Sequence, residues 1–69
     1  MTTLAENFAA NLKATRVRRK RSQEALAQEA HLSVSYISML ECGQRTPPLN
    51  TVEQIASALG VKPTDLLKA

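Results

Sequence analysis

The side chains that could do covalent or metal chemistry are few. Among the 69 residues there is one cysteine, Cys42, and one histidine, His31. One cysteine cannot form an internal disulfide, and the pair falls short of the ligands that a protein zinc site needs. Ser33 stands near His31, but a serine in this position is expected to cap a helix rather than to act as a nucleophile. Since the sequence also lacks a phosphate-binding glycine loop, it predicts neither an enzyme nor a bound cofactor.

Basic residues are concentrated in one short stretch. The formal net charge is +3, from nine Lys and Arg against six Asp and Glu. Six of the nine cations lie close together: Lys13, Arg16, Arg18, Arg19, Lys20 and Arg21. Such a run is most often a solvated face, although it also suits a polyanionic partner such as nucleic acid. The run alone leaves both interpretations open.

Apolar spacing and helix-forming composition predict an all-α chain that forms one domain over residues 1–69. Thr3 and Glu6 have the spacing of a capping box, and Leu4, Phe8 and Leu12 follow at helical intervals. Similar patterns recur down the chain, whereas no alternation typical of strands is present. The predicted helices span residues 4–19, 23–30, 34–41, 51–59 and 63–68. We therefore expect a compact bundle of five helices.

The boundaries of these helices follow from capping and stop residues. Ser22 and Ser33 are expected to cap the second and third helices, and Asn50 with Glu53 to cap the fourth. The pair Pro47-Pro48 predicts an extended loop over residues 44–49. Stop signals stand at Gly43 and Gly60, where glycine suits a left-handed helix end.

The second and third helices are separated by about three residues, which is the spacing of a helix-turn-helix. Ala27 is small enough to let the two helices approach, while Ile37 and Leu40 would fill the junction. The opposite face of the third helix carries short, uncharged side chains: Val34, Ser35, Ser38 and Met39. An ordinary solvent face usually carries Lys and Glu, so this composition favours close approach to base edges and thymine methyl groups.

From about Phe8 to Leu67 the chain resembles the phage-repressor and Cro-like (XRE-type) helix-turn-helix family. The matching segments are Ser22–Ala27, Tyr36–Glu41 with Gly43 after it, Arg45–Pro47, and Ala56–Val61 with Leu66-Leu67. The resemblance implies a λ-repressor-like bundle that binds double-stranded DNA with its third helix in the major groove. It also implies a small transcription regulator, with restriction–modification controllers as the best match and small phage repressors and antitoxins as further types.

The resemblance implies roles for individual residues. Val34, Ser35, Ser38 and Met39 would read bases. DNA phosphates would be contacted by Gln23, Tyr36, Gln44, Arg45 and Thr46, although Tyr36 could equally be a half-buried packing residue. Arg16 and Glu41 occupy positions that commonly form a structural ion pair. His31 and Lys20 stand where the family usually has glycine, so we expect positive φ at His31.

A single recognition helix reads only a few base pairs, so we expect a homodimer on a palindromic operator with half-sites about 34 Å apart. The interface would draw on residues that partly also serve the core: Leu49, Val52, Ile55, Val61, Leu66 and Leu67. RNA polymerase or a toxin are further candidate partners. The alternative function is an antitoxin-type or adaptor protein that acts mainly through a protein partner. Since no signal peptide or membrane span is apparent, we expect a cytoplasmic protein.

Overall fold

The computed structural model describes residues 3–69, which form four α-helices and one short 3-10 helix. The α-helices are α1 (Leu4–Arg18), α2 (Gln23–Ala30), α3 (Val34–Glu41) and α4 (Leu49–Leu59), and the 3-10 helix is Pro63–Leu66. The all-helical prediction is confirmed. Within residues 3–69 no helix combines the length and apolar character needed to cross a membrane.

The prediction of five α-helices is wrong, because the segment expected at residues 63–68 is a single 3-10 turn over Pro63–Leu66. The N–H groups of Asp65 and Leu67 donate to the carbonyls of Lys62 and Thr64, three residues back, at 2.9 and 3.1 Å. A segment this short makes too few bonds to nucleate a stable α-helix, and the tighter 3-10 turn is the usual form of such a piece.

Three helices start at the predicted capping residues. In α1 the Glu6 N–H donates to Thr3 Oγ1 at 3.1 Å, while the Thr3 N–H donates to Glu6 Oε1 at 3.0 Å, which completes the capping box. Ser22 Oγ accepts from the Ala25 N–H at 3.0 Å, and Ser33 Oγ accepts from the Tyr36 N–H at 3.1 Å. These contacts satisfy amides that the first turn of a helix leaves without partners.

The start of α4 differs from the prediction. The helix begins at Leu49 after Pro48, two residues early, and no side chain caps it. The Pro48 carbonyl instead accepts from the N–H groups of Thr51 and Val52, at 3.0 and 3.1 Å. Asn50 therefore lies inside the first turn, where its Oδ1 accepts from the Thr51 N–H at 3.0 Å, and does not form the expected cap with Glu53. At the other terminus, α1 ends at Arg18 rather than at residue 19.

Each α-helix is followed by a residue in the left-handed region. The φ angles are 57° at Lys20, 59° at His31, 74° at Gly43 and 71° at Gly60. The next N–H then donates five residues back: Arg21 to Arg16, Leu32 to Ala27, Gln44 to Met39 and Val61 to Ala56. This is the Schellman ending. Positive φ at His31 is confirmed, and without glycine such a conformation costs roughly 1–2 kcal/mol.

A single apolar core lies between the helices. The largest fully buried side chains are Phe8, Leu12, Leu26, Ile37, Leu40, Ile55, Leu59 and Leu66. Leu66 brings the 3-10 turn into this core, and Asn11 fixes the turn by donating from Nδ2 to the carbonyls of Leu66 and Lys68, at 3.1 and 2.6 Å. The C-terminal segment is thus tied to α1, and α2 packs against α3.

Candidate nucleic-acid interface

Two fully buried side chains anchor α3 to the rest of the protein. Ile37 and Leu40 have no exposed surface, and Ala27 of α2 is 2% exposed. Positions 37 and 40 are one turn apart on a helix, so together they fix which face of α3 looks inward. Core packing of Ile37 and Leu40 therefore determines that the opposite face of α3 points outward.

The outward face of α3 carries the four residues predicted to read bases. Val34 is 39% exposed and Ser35 is also exposed, whereas Ser38 and Met39 are half-buried. All four lie within a little over a third of the helix circumference at 100° per residue. The N-terminal half of α3 is thus its most exposed part, and the outward face carries hydroxyls, apolar groups and no charge.

The opposite end of α3 is bound to two other helices. Arg16 Nε donates to Glu41 Oε2 at 2.5 Å, and Arg16 Nη2 donates to Glu41 Oε1 at 3.1 Å. Arg16 Nη1 also donates to the Arg21 carbonyl at 2.8 Å. The Glu41 and Arg16 side chains are 4% and 13% exposed. The hydrogen bonds to Glu41 raise the pKa of Arg16 above its ordinary value, so Arg16 keeps its positive charge.

Gln23 joins this ion pair. Its Nε2 donates to Glu41 Oε1 at 3.1 Å, which links the first residue of α2 to the last residue of α3. Sequence reasoning assigned Gln23 a phosphate contact and missed this link, because spacing along a chain does not show which distant side chains meet. A Gln amide has two N–H groups, so the bond to Glu41 leaves one donor free for a phosphate.

The segment after α3 is exposed. Gln44, Arg45 and Thr46 all lie on the surface beyond the left-handed Gly43. Among the described residues no carboxylate forms an ion pair with Arg45. Tyr36 differs from them, since it is half-buried and packs against the apolar core.

The basic run divides into paired and unpaired cations. Arg16 pairs with Glu41, and Arg21 pairs with Glu29 while also approaching the Ala58 carbonyl at 3.5 Å. Four cations are exposed and have no ion-pair partner within residues 3–69: Lys13, Arg18, Arg19 and Lys20. Two cations of the run therefore form ion pairs within the protein, and the four without an ion-pair partner are available to a polyanion.

Three residues predicted for a dimer interface lie instead in the core. Val52 is 3% exposed, and Ile55 and Leu66 have no exposed surface. Apolar residues at helical spacing can face either the core or a partner protomer, so their spacing did not distinguish the two. Val61 and Leu67 are half-buried against the core, and Leu49 is 76% exposed.

Leu49 has an apolar neighbour that sequence reasoning did not place on the surface. Leu4, at the start of α1, is 61% exposed and lines the same cleft as Leu49 and Pro47. The helical spacing of Leu4, Phe8 and Leu12 placed all three in the core. Leu4 is the first residue of α1, however, and its side chain lies mostly at the surface.

The few residues with metal-binding chemistry are not gathered into a site. Within the described part of the chain no three His, Cys, Asp or Glu residues come together as ligands for a metal ion. Cys42 is exposed immediately after α3.

Comparison with known proteins identifies relatives of the chain. The helix-turn-helix family model matches residues 12–66. Control protein C.BamHI of Bacillus amyloliquefaciens is 52% identical over 46 residues, which cover 67% of this chain and 57% of that protein. The match therefore spans little more than half of the relative's length.

Two solved structures share the fold. The restriction-modification controller protein C.AhdI from Aeromonas hydrophila has a TM-score of 0.86 and 34% identity, over 90% of this chain and 94% of that one. The protein in the nucleoprotein complex C.Esp1396I has a TM-score of 0.83 and 25% identity, over 100% of both chains. With its buried helix junction and outward-facing α3, the chain belongs to the XRE-type helix-turn-helix family of DNA-binding regulators.

Proposed function

We propose that this protein regulates transcription by binding, as a homodimer, to a palindromic DNA operator with α3 of each protomer in the major groove. The observation that carries the proposal is the arrangement of α3. Ile37 and Leu40 hold it from inside, while its outward face is uncharged and the exposed Arg45 follows the helix in the chain. The match to controller proteins, one of them in a nucleoprotein complex, supports the same function.

Base reading is assigned to the outward face of α3. The hydroxyls of Ser35 and Ser38 can donate to or accept from base edges, and Val34 and Met39 can contact thymine methyl groups. Because Val34, Ser35 and Ser38 have short side chains, the helix backbone must come close to the floor of the groove. Specificity then depends on methyl contacts and shape as well as on hydrogen bonds.

Backbone contacts are assigned to the segments that flank α3. Arg45 is the strongest of these candidates, since it is exposed and has no ion-pair partner within residues 3–69. Gln44 and Thr46 lie beside it, and Gln23 has a free amide donor at the start of α2. The Tyr36 hydroxyl completes the set of proposed phosphate contacts. Such contacts fix the register of a protein on DNA but carry no sequence information.

The dimer is assigned to the surface around Leu49. Leu49 is the most exposed large apolar side chain of the described chain, and Leu67, which is half-buried, lines the same cleft. Val61 is also half-buried and completes the proposed interface. For both α3 helices to enter the major groove of one operator, the two-fold axis of the dimer must set them about 34 Å apart, one turn of DNA.

Selection of binding sites from a random duplex pool, followed by footprinting, tests the proposal. We expect enrichment of a two-fold symmetric motif, bound with an affinity that falls steeply as salt increases. A motif without symmetry would contradict the homodimer. Absence of any enrichment would contradict sequence-specific binding and favour the adaptor or antitoxin function, in which a protein partner replaces DNA.

A further inference from the structure

Two unpaired cations lie on one exposed face of α1, beside the end of α3. Lys13 and Arg18 line a shallow cleft together with Val17 and Glu41. Both cations are exposed, and Val17 between them is 57% exposed. We call Lys13 and Arg18 the α1 edge.

The charge of the α1 edge is not neutralised within the protein. Glu41 is the carboxylate in the cleft, and it is already committed to Arg16 through two hydrogen bonds. No carboxylate of residues 3–69 forms an ion pair with Lys13 or Arg18. The cleft is therefore a surface of net positive charge.

The position of the α1 edge relative to α3 indicates its partner. Glu41 is the last residue of α3, and the exposed Arg45 lies four positions later in the loop that follows. The α1 edge and the loop thus border the same end of α3, whereas Val34 and Ser35 protrude at the other end. Long cationic side chains away from the base-reading face suit the sugar–phosphate backbone. Arg can also bind a phosphate through two N–H groups.

We propose that the α1 edge binds DNA phosphates that flank the base pairs read by α3, and so extends the backbone contact beyond each half-site. This inference rests on the proposed function. Each phosphate neutralised by Lys or Arg releases condensed counterions, and so it contributes to the salt dependence of binding.

A pair of double variants with equal charge tests the α1 edge. Lys13→Gln with Arg18→Gln removes it, whereas Arg19→Gln with Lys62→Gln removes the same charge elsewhere. Arg19 is a matched control, because its Nη1 lies 3.7 Å from the place of a Cβ on Gly60, at the end of α4. Lys62 follows in the same segment and is exposed. Circular dichroism would establish that all variants keep the helical fold.

The measurement is the binding constant for a random-sequence duplex of roughly 30 base pairs, about three helical turns, as a function of salt. For the α1-edge variant we expect the slope of log K against log salt to fall by about 1.8 for each protomer, and so by about 3.6 for the homodimer, at near 0.9 for each lost phosphate contact. The control variant should keep nearly the wild-type slope. Equal slopes in the two variants, or a wild-type slope in the α1-edge variant, would overturn the inference.

A second measurement separates this inference from the function on which it rests. On the selected operator, longer flanking duplex should raise the affinity of the wild-type protein but not that of the α1-edge variant, and base preference should not change. If flank length has the same effect on both proteins, the α1 edge is refuted while the regulator stands. If the wild-type protein binds no duplex DNA at all, both proposals fail together.

Discussion

The two ends of α3 are built in contrasting ways. At its start, Ser33 caps the helix, and Val34 and Ser35 beyond it face solvent. At its end, the Glu41 carboxylate is 4% exposed and accepts three hydrogen bonds, two from Arg16 and one from Gln23. Core packing of Ile37 and Leu40 and the contacts at the fixed end hold the helix, so the side chains of Val34 and Ser35 need no structural role. This separation leaves the two exposed reading residues, Val34 and Ser35, open to substitution without loss of the fold.

The largest expected effect comes from breaking the fixed end. Glu41→Ala leaves the mostly buried Arg16 without its partner, which typically costs about 3–5 kcal/mol. A domain of this size has a free energy of unfolding of only about 3–10 kcal/mol, so the variant should be close to unfolded. Urea denaturation followed by circular dichroism would measure the loss.

Two controls sharpen this test. Ser35→Ala, at the free end, should change stability by no more than about 0.5 kcal/mol. The double variant Arg16→Met with Glu41→Leu should recover much of the loss, because no charge is then stranded. Equal destabilisation by Glu41→Ala and Ser35→Ala would refute the contrast between the two ends.

Removing the cap at the free end should have an intermediate effect. Ser33→Ala leaves the Tyr36 N–H without the acceptor that it has at 3.1 Å, and losing such a cap costs about 1 kcal/mol. Thermal or urea unfolding would detect the change. If the variant were as destabilised as Glu41→Ala, the free end would be as structurally important as the fixed end, contrary to this account.

A substitution in the turn before α3 should stabilise the protein rather than destabilise it. His31 adopts φ 59° without being glycine. Relief of a left-handed strain of roughly 1–2 kcal/mol is partly offset by the greater backbone entropy of glycine, so His31→Gly should stabilise the protein by up to about 1 kcal/mol. The same unfolding assay checks the sign, with Gly43→Ala as a converse control. Since nothing lies within 4 Å of a Cβ at Gly43, any loss there reflects its φ of 74° rather than a steric clash.

The smallest expected effect distinguishes two helix caps by pH. Hydrogen bonds from the Thr3 backbone and side chain lower the pKa of Glu6 below its ordinary value of 4.5. The contribution of Glu6 to stability is therefore complete above that value and is lost as the pH falls through the lowered pKa of the folded state. The difference in stability between wild type and Glu6→Gln should thus shrink on acidification.

The cap of α3 should not behave in this way. The first turn of α3 contains no acidic residue, so the effect of Ser33→Ala should be independent of pH over the same range. Urea unfolding at neutral and acidic pH compares the two. A pH-dependent loss in Ser33→Ala would mean that a titrating group supports the start of α3.

Sequence reasoning located most of the helices because local signals determine them. The caps at Thr3, Ser22 and Ser33 and the stops at Gly43 and Gly60 act within one turn of the backbone, and the structure contains all of them. The start of α4 was predicted two residues late. The N-terminal amides of this helix donate to the backbone carbonyl of Pro48, so no capping side chain marks the start in the sequence.

The polar tertiary contacts were harder to predict. Gln23 meets Glu41 across 18 positions and Asn11 meets Leu66 across 55, and no periodic pattern encodes such pairs. Similarly, apolar spacing in α4 could not show that Ile55 belongs to the core while Leu49 is exposed. For the candidate site, the residues on the outward face of α3 followed from helical geometry, whereas the network that fixes the helix required the three-dimensional structure.

The central claim is that the outward face of α3 reads bases while the residues around it only hold the backbone. The most direct test measures the affinity of Ser38→Ala and Arg45→Ala for every single-base variant of the selected operator. We predict that Ser38→Ala changes preference at one position of each half-site by about tenfold. Arg45→Ala should weaken binding to all sequences alike and lower the salt slope by about 1 for each protomer of the homodimer. An unchanged base preference in Ser38→Ala, or an altered one in Arg45→Ala, would contradict the claim.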